Sequence, residues 1–139
     1  MNKAELIEAI VAKTEMSKKD ADAALSAVVD AIKDALKAGE KVQLIVSDVS
    51  FISLTKILPA AYDCLEEGGD LLVLIKPQFE LQPEDIGPGG IVRDPALHQQ
   101  AVEKIKNFVT EELHREWCGV ADSPITGMEG NKEFLAWLR

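Results

Sequence analysis

Few residues in this 139-residue chain could perform metal or redox chemistry. Cys64 and Cys118 lie far apart, neither belongs to a CxxC, and no histidine cluster accompanies them. They read as two reduced thiols that behave as small apolar residues. His98 and His114 are sixteen positions apart on one predicted helix, which is not a metal-pair spacing. Tetrahedral zinc needs four close nitrogen or sulfur ligands, so no metal site is expected. Gly87-Pro88-Gly89-Gly90 is the main glycine cluster, but no strand leads into it, so it reads as a loop rather than a phosphate cradle. Lys18-Lys19 reads as a solvated helix start, and Trp117 and Trp137 as packing residues.

The totals limit the function further. The net charge is −9. Residues 1–45 carry 7 basic and 8 acidic groups, and residues 46–139 carry 8 and 16. Nucleic-acid affinity at ordinary salt rests on clustered Lys and Arg, so a phosphate-binding surface is not expected. No apolar run approaches the roughly 20 residues that span a bilayer. Residues 1–15 mix charged and apolar positions, unlike a secretory leader, and a cytoplasmic setting is the default.

The elements that would position chemistry follow from periodicity. Leu6, Ile7, Ile10 and Val11 make one face of a helix over 3–14. Ser17 with Asp20 opens a second helix, striped by Ala21, Leu25, Val28, Ile32, Ala35 and Leu36 and stopped at Gly39. The short link makes an αα-hairpin. Val42–Val46 is a β-branched apolar run, hence a strand. Ser50 or Ser53 caps a helix with an apolar face of Leu54, Ile57, Leu58, Ala61 and Leu65, ended by Gly68-Gly69. Leu71–Ile75 reads as a central parallel strand, closed by Lys76-Pro77. Asp94-Pro95 opens a long helix reaching Leu113. Trp117–Ala121 and Phe134–Leu138 read as strands around a turn-rich loop. The order α-α-β-α-β-α-β-β predicts an α/β fold: an N-terminal αα-hairpin packed on a mostly parallel half-Rossmann sheet, in one composite domain over 1–139.

Two family resemblances divide the chain. MNKAELIEAIVAKT, SKKDADAAL and KAGEKVQLI, in that order and spacing, resemble the N-terminus of the bacterial histone-like protein HU over Met1 to Ile45. The resemblance implies a helical packing module with a tendency to dimerise. In that family a Gly-Phe-Gly turn, a β-saddle and two basic arms follow and grip DNA. Here Val46-Ser47-Asp48 follows instead, so nucleic-acid binding is not expected from this part.

From Ile45 to Arg139 the chain resembles the C-terminal half of hemolysin A-type ribosomal RNA methyltransferases, FtsJ-like enzymes that methylate ribose 2′-hydroxyls with S-adenosylmethionine. SDVSFISL, LIKPQFE, GGIVRDP, SPITG and GNKEFLAWL carry the resemblance. It implies that Asp48, Lys76 and Glu133 match three members of the family's Lys-Asp-Lys-Glu tetrad. A lysine between two carboxylates can orient a hydroxyl and help to deprotonate it. The first tetrad lysine has no counterpart, and residues 1–45 hold no glycine-rich turn for the cofactor. Without the resemblance, Asp48 reads as a turn cap, and Lys76 and Glu133 as solvated charges.

The leading expectation is therefore a recombined or engineered chimera of an HU fragment and a methyltransferase fragment. It would be a fold and association module that is not an enzyme, with vestigial Asp48, Lys76 and Glu133, no cofactor, and no nucleic-acid or membrane partner. The open Val42–Val46 edge and the hairpin predict a homodimer, domain-swapped or not. The alternatives are a degenerate S-adenosylmethionine-dependent rRNA 2′-O-methyltransferase and a residual DNA-binding module.

Overall fold

The structure, a computed structural model, describes residues 2–139, with Met128 by its backbone alone. Met1, which opens the HU-like stretch, lies outside the described residues. The chain divides into two compact units, one ending at Glu40 and the other Lys41–Arg139.

The first unit is the predicted hairpin: α1 (Lys3–Lys13) and α2 (Lys18–Lys37). Asn2 and Glu5 form a reciprocal capping box at the start of α1. The Asn2 side chain accepts from the Glu5 N–H at 3.0 Å, and the Glu5 carboxylate accepts from the Asn2 N–H at 2.9 Å. Ser17 caps α2 by accepting from the Asp20 N–H at 3.1 Å. Gly39 ends it at φ 93°, where the Gly39 and Glu40 N–H groups reach back to the carbonyls of Leu36 and Ala35. That pair of bonds is the Schellman stop, and the left-handed φ is why glycine sits there. Among the described residues of this unit only Ile7 and Ala21 are buried, so the apolar stripe of α2 is largely open to solvent.

The second unit contains β1 (Val42–Ser47), α3 (Leu54–Cys64), β2 (Leu65–Ile75), the one-turn α4 (Pro77–Glu80), α5 (Pro95–Asn107), β3 (Trp117–Asp122) and β4 (Phe134–Leu138). The sheet order is β1-β2-β4-β3. It is an α/β layer as expected, but the sheet is mixed rather than mostly parallel. β1 and β2 are parallel, while β4 runs antiparallel to both β2 and β3. The 123–133 loop contains no crossover helix, and without one a returning strand must pair antiparallel.

Period-2 alternation in β2 and β4 splits the sheet into an inward and an outward face. Inward-facing Leu71, Val73, Ile75, Phe134, Ala136 and Leu138 meet Leu54 and Leu58 of α3 and Val102, Ile105 and Val109 around α5. Two boundaries differ from expectation. β2 starts six residues early, because Gly68-Gly69 extends the strand instead of ending the helix. Gly69 lies so close to Leu65 and the Gln43 carbonyl that an added Cβ would come within 3.0 Å of both. α5 is regular to Asn107, then widens into a π turn closed by the Leu113 N–H on the Phe108 carbonyl.

The buried carboxylate of Glu80 ties three elements together. It accepts from the Leu54 N–H at 2.8 Å and the Ser53 hydroxyl at 2.6 Å, so it caps α3 from another segment. Lys104 of α5 pairs with it at 3.1 Å and also donates to its backbone carbonyl. Removing it would leave the Leu54 N–H without its acceptor and strip Lys104 of its counter-charge. Glu80→Ala is expected to cost about 3 kcal/mol in urea unfolding, the range for breaking one side of a buried pair.

Tyr62 provides a second test. Its hydroxyl is buried without a hydrogen-bond partner among the described residues, and burial raises its pKa from 10.0 to about 12. A raised folded pKa contributes stability that is present below pH 10.0 and lost as pH rises toward about 12. Tyr62→Phe removes an unpaired group, so it should leave neutral-pH stability unchanged or higher and flatten the alkaline loss in pH-dependent thermal melts.

Candidate active site

Strand topology brings together the three residues singled out by resemblance. The parallel pairing of β1 and β2, with Ser47 opposite Val73, places Asp48 and Lys76 beyond the same carboxyl edge. β4 runs the other way, with Phe134 opposite Ile75, so the residue just before it also arrives at that edge. That residue is Glu133.

The Lys76 amine lies 2.5 Å from an Asp48 carboxylate oxygen and 3.9 Å from Glu133 Oε1, and it donates to the Ser50 hydroxyl at 3.1 Å. Lys76 and Glu133 side chains are only 12% and 6% exposed, whereas that of Asp48 is 70% exposed. The amine is therefore gripped from the protein side by a buried carboxylate and from the solvent side by an open one. The Lys76–Glu133 side is sheltered and screened less than a surface pair, whereas the Asp48 side is open to water and ions.

These groups line a cleft of about 470 Å³ with Phe51, Leu74, Phe79, Gly89, Gly90, Gly127 and Asn131. Lys76 is the only lysine among the described residues lining it. Phe51 has a left-handed backbone, φ 63°, is 82% exposed, and packs its ring 5.0 Å from that of Phe79. A non-glycine residue in that region is strained by about 1–2 kcal/mol.

Two supports were not legible from composition. Buried Asn131 accepts from the Val92 N–H and donates to the Gly90 carbonyl, both at 3.0 Å, and its own carbonyl accepts from Gly127 at 2.8 Å. It fastens the glycine loop to the segment carrying Glu133, so the Gly87–Gly90 cluster, read as a plain loop, forms one wall of the cleft. Gly127 lies against Glu133, and a Cβ there would fall 1.9 Å from Glu133 Oε1. The SPITG and GNKEF segments were the available signal, but that the loop folds Gly127 onto Glu133 is not encoded in a period or a cap.

The family profile described as FtsJ-like methyltransferase matches residues 2–139. The chain belongs to that family. It is 43% identical over 101 residues, 73% of its length, to the 16S/23S rRNA (cytidine-2′-O)-methyltransferase TlyA of Mycobacterium tuberculosis, and spans 37% of that relative. It is similar to the solved structure of a putative hemolysin from Streptococcus thermophilus, with a TM-score of 0.68 and 42% identity over 71% of this chain and 35% of that one. It is also 58% identical over 45 residues, 32% of its length, to DNA-binding protein HU 1 of Bacillus subtilis, covering 49% of that protein.

These findings overturn the leading expectation. A family profile running almost end to end, and relatives at 42–43% identity over some seven tenths of the chain, place it in the FtsJ-like methyltransferase family rather than leaving it an engineered chimera without activity. The similarity to HU stands beside this over a third of the chain. Among the described residues no helix is long and apolar enough to cross a membrane.

The packing of Gly127 against Glu133 is directly testable. Gly127→Ala must push the carboxylate aside, and it should cost about 1–3 kcal/mol in urea unfolding, as overpacked sites do. Gly130→Ala meets no atom within 4 Å, but its φ of 83° strains an alanine, so it separates backbone strain from side-chain collision.

Proposed function

We propose that this chain acts in the S-adenosylmethionine-dependent 2′-O-methylation of ribosomal RNA, and that Lys76, held by Asp48 and Glu133, is the group that addresses the ribose hydroxyl. The Asp48–Lys76–Glu133 cluster in the open cleft carries the reading. Family membership and the rRNA-modifying name of the tuberculosis relative support it.

The chemistry follows from the charges. A ribose hydroxyl seated at the Lys76 amine would meet a fixed donor for its oxygen and carboxylates that can accept its proton. Negative charge building on that oxygen during methylation would face a cation that need not reorganise. Ser50 and the buried Glu133 restrict where the amine can go, which favours an in-line approach.

Methyl-donor binding is a different matter. The family implies S-adenosylmethionine, which such folds hold at a glycine-rich strand-to-helix turn. The turn after β1 (residues 48–53) contains no glycine, and β2 passes through Lys76 straight into Pro77 of α4. The described residues do not fit that cradle, so the role assigned to this chain concerns the hydroxyl and not the donor.

Ribose-acylation footprinting tests the assignment without the donor. Ribosomal RNA mixed with the chain should lose 2′-hydroxyl reactivity at discrete nucleotides. Lys76→Met should weaken that protection by about 10- to 100-fold, the scale of losing one hydrogen bond from a charged donor. RNA that reacts identically with and without the wild-type chain would end the proposal.

A further inference from the structure

The sheet has one covered and one uncovered face, and the uncovered face is apolar. Register sets its members: Val46 lies beside Leu72, which lies beside Trp137, and Leu74 lies beside Leu135. With Leu44 they form a continuous patch pointing away from α3 and α5. Leu44 is 55% exposed, Val46 70%, and Leu72, Leu135 and Trp137 40–42%. Asp70 is the one carboxylate in this register. The Trp137 indole N–H and the Arg139 guanidinium both satisfy it, the indole bond first in lowering its pKa. β1 is also an edge strand, hydrogen-bonded only to β2.

We propose that this outward face is an interface that takes a second copy of the chain. Area supports it. The five exposed side chains present roughly 450 Å² of apolar surface, the size of the largest patch on a typical monomer, which is often functional. A standard interface takes about 800 Å² from each partner, some 60% of it apolar, so the patch matches what one protomer contributes. Composition points the same way. The single carboxylate is already neutralised within the chain, so the face offers nothing to select a charged partner or a phosphate backbone. Interfaces between identical subunits are the more apolar class. An isologous pairing needs only this one patch, laid face to face at the roughly 10 Å spacing of packed sheets. The proposal does not depend on methyl transfer.

Sedimentation velocity over a concentration series tests it, with far-UV circular dichroism and thermal melts as controls for folding. The wild type should dimerise and dissociate on dilution. Because each copy carries a net charge of −9, added salt should tighten the dimer. Val46→Lys should weaken association about 100-fold, as a charge buried at an interface centre does, and Leu135→Lys likewise. Ile32→Lys, on the exposed stripe of α2, should leave the dimer intact. A wild type that stays monomeric throughout overturns the proposal. So does a dimer indifferent to Val46→Lys, or one abolished by Ile32→Lys alone. If Leu135→Lys fails to fold, Val46→Lys decides by itself, since that side chain is already mostly in solvent.

Discussion

The parallel pairing of β1 with β2 is the constraint on which the site depends. Both strands end at the same edge only because they run the same way, and this gives Asp48 and Lys76 a common location. The antiparallel return of β4 completes the arrangement by delivering Glu133 from its own N-terminal end. A one-residue slip between β1 and β2 would turn Ile45 outward and Leu44 into the core, so burial of the inward face also holds the site in register. Core packing and site geometry are the same requirement met twice.

Beneath that edge, Glu80 fixes the distance between the two segments that supply the ion pair. It lies four residues after Lys76, and its carboxylate holds the N-terminus of α3, six residues after Asp48. A helix N-terminus and a lysine from α5 together compensate the cost of burying the charge. The strained Phe51 lies within the segment so clamped, as expected where surrounding structure over-determines a backbone conformation.

What could be read from the sequence was what has a period or a cap. The stripe of α2, the Asp94-Pro95 start of α5, the Gly39 stop and the alternation of Phe134–Leu138 are local, and each appears where its residues place it. Asp48, Lys76 and Glu133 were reached by motif resemblance, and their meeting required a topology that composition does not encode. Gly68-Gly69 misled because glycine serves both as a helix stop and as a strand residue at a close backbone approach; only the Leu65 and Gln43 neighbours decide between them. Glu80 and Asn131 act through partners distant in sequence, which no short window of residues reveals, and Gly127 meets Glu133 only through the folding of the loop between them. The fold class was legible throughout. The functional expectation failed because two family resemblances meeting within Leu44-Ile45-Val46 do not make an engineered chimera without activity, when the methyltransferase profile runs over residues 2–139.

The two faces of the sheet show how a chain can satisfy its own core and still leave apolar surface in water. A half-buried antiparallel sheet ordinarily alternates apolar inside with polar outside. Here β1, β2 and β4 carry apolar side chains on both faces, the pattern of strands buried on both sides. Such a pattern costs nothing in the covered layer, where α3 and α5 exclude water. On the other side it leaves apolar area that water disfavours in proportion to its extent. The chain spans about a third of the curated methyltransferase relative it matches. The physical demand to cover that face is thus written into the same residues that build the site's edge. Leu74 belongs to both, at the boundary between the open face and the cleft.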